Sequence, residues 1–343
     1  MLGPAIVLRK ISSGTYLAIL LAIAAISFVA LAFIEDDPYS RHKAALSTDY
    51  IKAKWIYERL HFDPTPVDIA FLGSSRTMQN VDSALIEKAL NASTGGEFHV
   101  VNLALPKLGR DVPYLFGRML VETKKPKLVV VEVDYLNQRG GSAIFPQLAT
   151  LDDLWAAPRI NQDLFYDFVS VSARHGRLLW QSILSGNSQF DAAGYRGEHW
   201  DDDYQTTGAN GRISGPRVAF MEKRRFEREA KQWVSLQQSK AAQYDDWAWI
   251  EFYYNETYEH RLLDLLRRSN VKIVLLYLAA VGSAEHPAHF ETISDYGDLW
   301  AVPKELTSDN TFWINPTHMN YSGAQIFSTF LANRLSAVMP RNQ

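Results

Sequence analysis

The chain has 343 residues, 47% of them hydrophobic, a formal net charge of -3 and no cysteine. That length suits one large domain, or one domain with an insertion, around a substantial core. The missing cysteines exclude thiol catalysis, disulfides and thiolate metal sites, and a near-neutral balance with scattered basic residues offers no field to nucleic acid.

The first element is an uncharged run, Thr15 to Ile34, long enough to span a bilayer as a helix. Arg9 and Lys10 precede it and Glu35, Asp36 and Asp37 follow, so the bulk of the chain is expected to face outward. Ala30-Leu31-Ala32 imitates a signal-peptidase site, which keeps a cleaved signal peptide beside the anchor reading. Both place the domain outside the cytoplasm, periplasmic or extracellular. The expected organisation is a cytoplasmic tip and transmembrane anchor over 1–36, a juxtamembrane segment over 37–66, and an α/β domain over 67–343. Within the second, Tyr39 to Leu60 reads as a helix or stalk, closed by the turn DPTPVD.

Apolar runs then alternate with helical patterns. Val67 to Gly73 is predicted as a first strand, Phe98 to Leu105 as a second, Pro126 to Val133 as a third and Val271 to Ala280 as a fourth. Asp82 is a plausible N-cap for a helix between the first two, and Val112 to Lys125 reads as a helix before the third. Strands this continuously apolar are covered on both faces. The expected fold is therefore a three-layer α/β/α sandwich with a mostly parallel, flavodoxin-like sheet. A largely helical insertion is expected at about 138–268. Inside it, Glu222 to Glu229 (EKRRFERE) alternates acids and bases and reads as a solvated helix face.

Two stretches carry chemistry. The first strand ends on Gly73, followed by Ser74, Ser75 and Arg76, and ligands of doubly wound sheets bind outside the carboxyl ends of strands. Serines there also serve as plain helix N-caps. Near the other terminus, His318 stands in a polar loop before a helix starting around Tyr321 or Ser322. A loop histidine titrating near neutrality is a candidate general base, though such residues are often only hydrogen-bonded. Asn315, three residues earlier, can reach back and fix its tautomer. Serine and histidine together have the logic of an activated hydroxyl nucleophile.

This pairing resembles the SGNH (GDSL-like) hydrolase superfamily, which carries Gly-Asp-Ser after strand one and Asp-x-x-His in a late loop. Here the motifs read Gly73-Ser74-Ser75 and Asn315-Pro316-Thr317-His318, with Asn320 and Gly323 after the latter. The resemblance implies Ser75 as nucleophile, His318 as base and Asn315 in the place of the orienting acid. It also implies an oxyanion hole from the Ser75 amide, Gly109 in VNLALPKLG and Asn137 in VEVDYLNQ, whose spacing departs from the family's Gly-x-Asn-Asp block. Arg76 is a candidate for an anionic substrate group or for a surface salt bridge. With its anchor, the chain looks most like a membrane-tethered branch that helps place D-alanyl esters on teichoic acids or acetyl esters on alginate and cellulose. The resemblance covers roughly Val67 to Val133 and Val271 to Leu335.

An amide at position 315 cannot stabilise an imidazolium by charge. It leaves a Ser-His dyad, a carboxylate from elsewhere (Asp309 is nearest in sequence) or a site without turnover. The expected function is an esterase or O-acyltransferase on acyl esters of a cell-envelope polysaccharide. The alternative is a degenerate relative that binds polysaccharide or partners a multispanning membrane acyltransferase. No cofactor is expected, and His199 to Gln205 (HWDDDYQ) reads as a solvated acidic turn rather than a metal site. Trp247, Trp249, Phe252, Tyr253 and Tyr254 are read as core, with a sugar platform as the alternative. Asn91 and Asn255 stand in bare glycosylation patterns.

Overall fold

The computed structural model describes residues 13–44, 51–106, 109–134, 140–200, 205–207, 213–216, 220–242, 248–279 and 281–340. Its strands are β1 (Ile69–Leu72), β2 (Val100–Asn102), β3 (Leu128–Val133), β4 (Gln205–Thr207), β5 (Ile213–Pro216), β6 (Lys272–Tyr277), β7 (Asp298–Ala301), β8 (Trp313–Asn315) and β9 (His318–Met319). Five of them form one parallel sheet in the order β2-β1-β3-β6-β7, and β4-β5 and β8-β9 are separate antiparallel pairs. The fold is α/β.

The helices are α1 (Ser13–Leu31), α2 (Pro38–Lys43), α3 (Ile51–His61), α4 (Ser75–Asn80), α5 (Ser83–Thr94), α6 (Asp111–Thr123), α7 (Phe145–Leu148), α8 (Leu151–Trp155), α9 (Leu164–Ser185), α10 (Lys223–Ala242), α11 (Ala248–Arg268), α12 (Phe290–Ile293), α13 (Lys304–Thr307) and α14 (Tyr321–Val338). Asp82 caps α5 as its sequence suggests, its carboxylate accepting from Leu85 N at 2.9 Å. Gly95 ends that helix in the left-handed region at φ 66°, where a glycine carries no Cβ penalty.

Side chains of successive strand residues point to opposite faces, and the core divides accordingly. Ile69, Phe71, Val130, Val274 and Leu276 pack in one cluster with Ile86 and Leu90 of α5 and Phe327 and Leu331 of α14. Ala70, Leu72, Val131, Ile273 and Leu275 join another with Trp55 and Ile56 of α3, Phe116 and Leu120 of α6, and Leu262 and Leu266 of α11. No strand residue of β1 or β3 faces water, hence the uninterrupted apolar runs.

Of the helix-or-stalk reading of Tyr39 to Leu60, the helix holds over α2 and α3, and Ala53, Trp55, Ile56 and Leu60 of α3 are buried in the core. The second strand is shorter than predicted. β7, DLWA after Gly297, escaped the sequence reading because four residues beginning with an aspartate carry little apolar signal. Of the aromatic group, Phe252 and Tyr254 are buried, while Trp247 and the side chain of Trp249 lie outside the described residues. Asn255 is also buried, taking the Arg110 amide at 2.7 Å and donating to Gly140 O at 2.6 Å, so its glycosylation pattern is inaccessible.

Candidate active site

The two serines after β1 have different jobs. Ser74 is the N-cap of α4, its hydroxyl accepting from Arg76 N at 3.2 Å. Ser75 is the first residue of the helix, and its Oγ lies 3.0 Å from His318 Nε2. Residues separated by 243 positions thus meet at the carboxyl end of β1.

His318 arrives by a tight hairpin. β8 and β9 pair antiparallel with Asn315 opposite His318, so Pro316 and Thr317 form the turn and the three-residue spacing becomes a contact. Asn315 Oδ1 takes Thr317 N at 2.9 Å, Thr317 Oγ1 at 2.9 Å and His318 N at 3.0 Å, and lies 3.1 Å from His318 Nδ1. Surrounded by N-H and O-H donors, this atom must be the amide oxygen. It draws the imidazole proton to Nδ1 and leaves the Nε2 lone pair for the Ser75 hydroxyl. Thr317 Oγ1, 2.9 Å from Nδ1, is a second acceptor there. Asp309, the nearest acid in sequence, instead takes Thr311 N at 2.9 Å and Thr311 Oγ1 at 2.7 Å, capping a short turn.

Glu132 of β3 organises the serine side. Fully buried, it accepts Ser74 Oγ at 2.6 Å on one oxygen, and on the other Ser74 N at 2.8 Å, Thr77 N at 3.2 Å and Thr77 Oγ1 at 2.5 Å. The carboxylate sits where a Cβ on residue 73 would fall, which is why a glycine ends the strand. At its other end α4 is tied to β2, with Asn102 Nδ2 donating to Thr77 O at 3.0 Å and Val81 O at 2.9 Å. Asn80 Oδ1 takes Met319 N at 2.8 Å, joining the serine helix to the histidine hairpin. At the far side Asn320 caps α14 through Gly323 N at 3.0 Å, holding β9 from below.

Arg76 is buried, its Nη1 2.6 Å from Asp134 Oδ1, and its guanidinium lies 5.5 Å from the Trp233 ring centre. It therefore braces the site from within rather than presenting its charge to a substrate. Arg110 meets Asp134 Oδ2 at 3.1 Å and donates to Glu132 O at 2.7 Å. Burial disfavours the Arg110 charge, but Asp134, Glu259 and Glu132 more than offset it and raise its pKa. His289 reaches Glu259 at 2.8 Å; burial lowers its pKa, and the Glu259 carboxylate reverses that to a net rise. Charges buried this deeply persist only when paired.

Gly109 precedes this arginine, and a Cβ there would fall 2.7 Å from Ser142 N and 2.8 Å from Asp111 Oδ1. Its glycine is thus explained by close backbone approach. Asn137 lies outside the described residues. Beside the hairpin opens a cleft of about 420 Å³, lined by Glu229, Gln232, Trp233 and Leu236 of α10 with Asn315 and Thr317. Among the described residues, one group can hold a metal ion: Glu87, Glu198 and His199, whose ligand atoms lie within 4.8 Å of one another. It is built by elements other than those carrying Ser75 and His318.

The sequence reading missed Glu132, Thr317, Asn80, Asn102 and Trp233. A glutamate inside LVVVEV was the one usable signal, since an acid in a buried strand needs donors. No protein-family model matches the chain, and no curated protein matches it.

Proposed function

We propose that the chain is a membrane-anchored, extracytoplasmic serine esterase or O-acyltransferase of SGNH type, acting on acyl esters of a cell-envelope polysaccharide. The observation that carries this reading is the 3.0 Å contact between Ser75 Oγ and His318 Nε2 at the carboxyl end of a parallel strand. The strand order β2-β1-β3-β6-β7 is the one a flavodoxin-like sheet has, and we read the helices packed against it as the outer layers of a doubly wound α/β/α sandwich.

In the proposed reaction the Ser75 oxygen bonds to the ester carbonyl carbon as its proton passes to His318 Nε2. The Ser75 amide is a donor for the oxyanion. Collapse of the tetrahedral intermediate breaks the carbon–oxygen bond to the leaving alcohol, which takes the proton from Nε2 and leaves an acyl-serine. Water gives hydrolysis and a glycan hydroxyl gives transfer, each losing its proton to the same nitrogen. Trp233 with Gln232 and Glu229 offers an apolar ring beside polar groups, a lining suited to a sugar. The anchor would be α1, an apolar helix exposed along most of its length, with Arg9 and Lys10 before it.

The test is mass spectrometry of the intact protein after reaction with p-nitrophenyl acetate. A single acetyl adduct is expected on the wild type and none on Ser75→Ala; equal labelling of both sinks the proposal. A second reading, a degenerate polysaccharide-binding or acyltransferase-partner protein, is favoured by the amide of Asn315. It predicts no acyl-enzyme in either form and retained binding of an acetylated glucan.

A further inference from the structure

We infer that the outward face of α9 lies in the outer interface of the bilayer, so that a lipid surface is a second partner of the folded domain; this rests on reading α1 as an uncleaved anchor. One side of α9 is the ordinary packed side, with Val171, Arg174, His175 and Leu178 buried. The opposite side is apolar as well. Phe165, Val169, Ala173, Trp180, Ile183 and Leu184 recur at spacings of three and four, which stacks them along one face. Their exposure is high: 81% for Phe165, 63% for Trp180, 67% for Ile183 and 66% for Leu184. From Phe165 to Leu184 the stripe runs roughly 28 Å at 1.5 Å per residue. A stripe of this size in water marks an interaction surface.

Continuity with α1 identifies the occupant. The missing residue in the stripe is Gly176, and a Cβ there would fall 3.0 Å from Leu31 Cδ1, so the end of α1 crosses α9 on this face. The crossing is locked by buried charge. Asp36 takes Arg41 Nη2 at 2.5 Å and Arg174 Nε at 3.2 Å, and His175 Nδ1 lies 3.0 Å from Leu31 O. Burial opposes the Asp36 charge, but hydrogen bonds from His175 and Arg41 and the two guanidinium charges hold its carboxyl well below the usual range. A bilayer that surrounds α1 therefore meets α9 at the exit point. Aromatic and aliphatic residues on one helix face are what an interfacial helix presents to lipid.

The chain lacks cysteine, so single nitroxide labels can be placed without background. Full-length Phe165→Cys, Trp180→Cys and Ile183→Cys are labelled in phosphatidylethanolamine/phosphatidylglycerol vesicles, with Ile23→Cys as anchor control and Ala92→Cys as solvent control. Collisions with oxygen, which concentrates in acyl chains, are compared with those of a water-soluble nickel chelate. The expected result is an oxygen-to-nickel ratio at 180 and 183 raised several-fold over that at 92. Water-like ratios there, with lipid-like values at 23, overturn the inference and leave the anchor standing. Shielding from both reagents also overturns it, in favour of a second copy or another membrane protein on the face. A water-like label at 23 sinks the anchor reading and this inference together.

Discussion

Asn315→Asp places a carboxylate where the amide now holds the His318 imidazole, the base of the proposed reaction. The replaced oxygen lies 3.1 Å from His318 Nδ1 and already faces three donors of the hairpin, so the geometry needs no rebuilding. At that distance a carboxylate and an imidazolium attract by about 5 kcal/mol at an effective dielectric of about 20, and about half that with the screening of a half-exposed site. The attraction exists only once the histidine has taken the serine proton, so it lowers the barrier rather than the ground state. At about 1.4 kcal/mol per decade, acylation should accelerate by roughly two to four orders of magnitude. The corresponding carboxylate-to-amide change in a serine protease triad costs about four orders of magnitude in kcat. The assay is burst kinetics with p-nitrophenyl acetate for wild type, Asn315→Asp and the double variant with Ser75→Ala. An unchanged or slower burst in Asn315→Asp, with the wild-type burst abolished by Ser75→Ala, would refute the role given to residue 315.

Glu132→Leu strips the acceptor from two amides and two hydroxyls, and should cost about 3–5 kcal/mol in urea unfolding. Glu132→Gln, which keeps one acceptor oxygen, should cost about 1–2 kcal/mol; equal losses would show that the carboxylate does not order the start of α4. Burial pushes the Asp111 carboxyl up to about 7 from 3.8, although the Ser142 and Val112 amides pull it down. The folded state then keeps a proton that the unfolded state releases, so stability falls as pH rises between these values. Asp167, raised to about 6 by burial, acts with the same sign. Asp111→Asn should flatten the loss of stability measured in detergent between pH 4 and 7; an unaltered slope would reject this. Trp233→Ala should raise KM for an acetylated oligosaccharide roughly tenfold while leaving the p-nitrophenyl acetate burst intact, and a parallel loss on both substrates would place Trp233 in the chemistry instead.

The sheet was legible because strands buried on both faces write unbroken apolar runs, as in VDIAFLG and KLVVVEV. β7 was not, since an edge strand of four residues has no such run. Ser75, His318 and Asn315 were readable as a pattern and the structure brings them together. Ser75 over Ser74 was readable through the family resemblance, but what holds Ser74 in place was not, because it depends on Glu132, reached only across the sheet. Arg76 shows the same limit: a charge after a strand can face a ligand or a buried acid, and Asp134, 58 positions away, decides it.

On the proposed reaction, the 243 positions between Ser75 and His318 also set an order of events. Synthesis runs from the N-terminus, so the serine emerges long before its histidine exists. Until the hairpin docks through Asn80 and α14 packs onto α5, Ser75 is an ordinary alcohol. On the proposed reaction, chemical competence waits for these late contacts, and a nascent or half-folded chain carries no armed nucleophile.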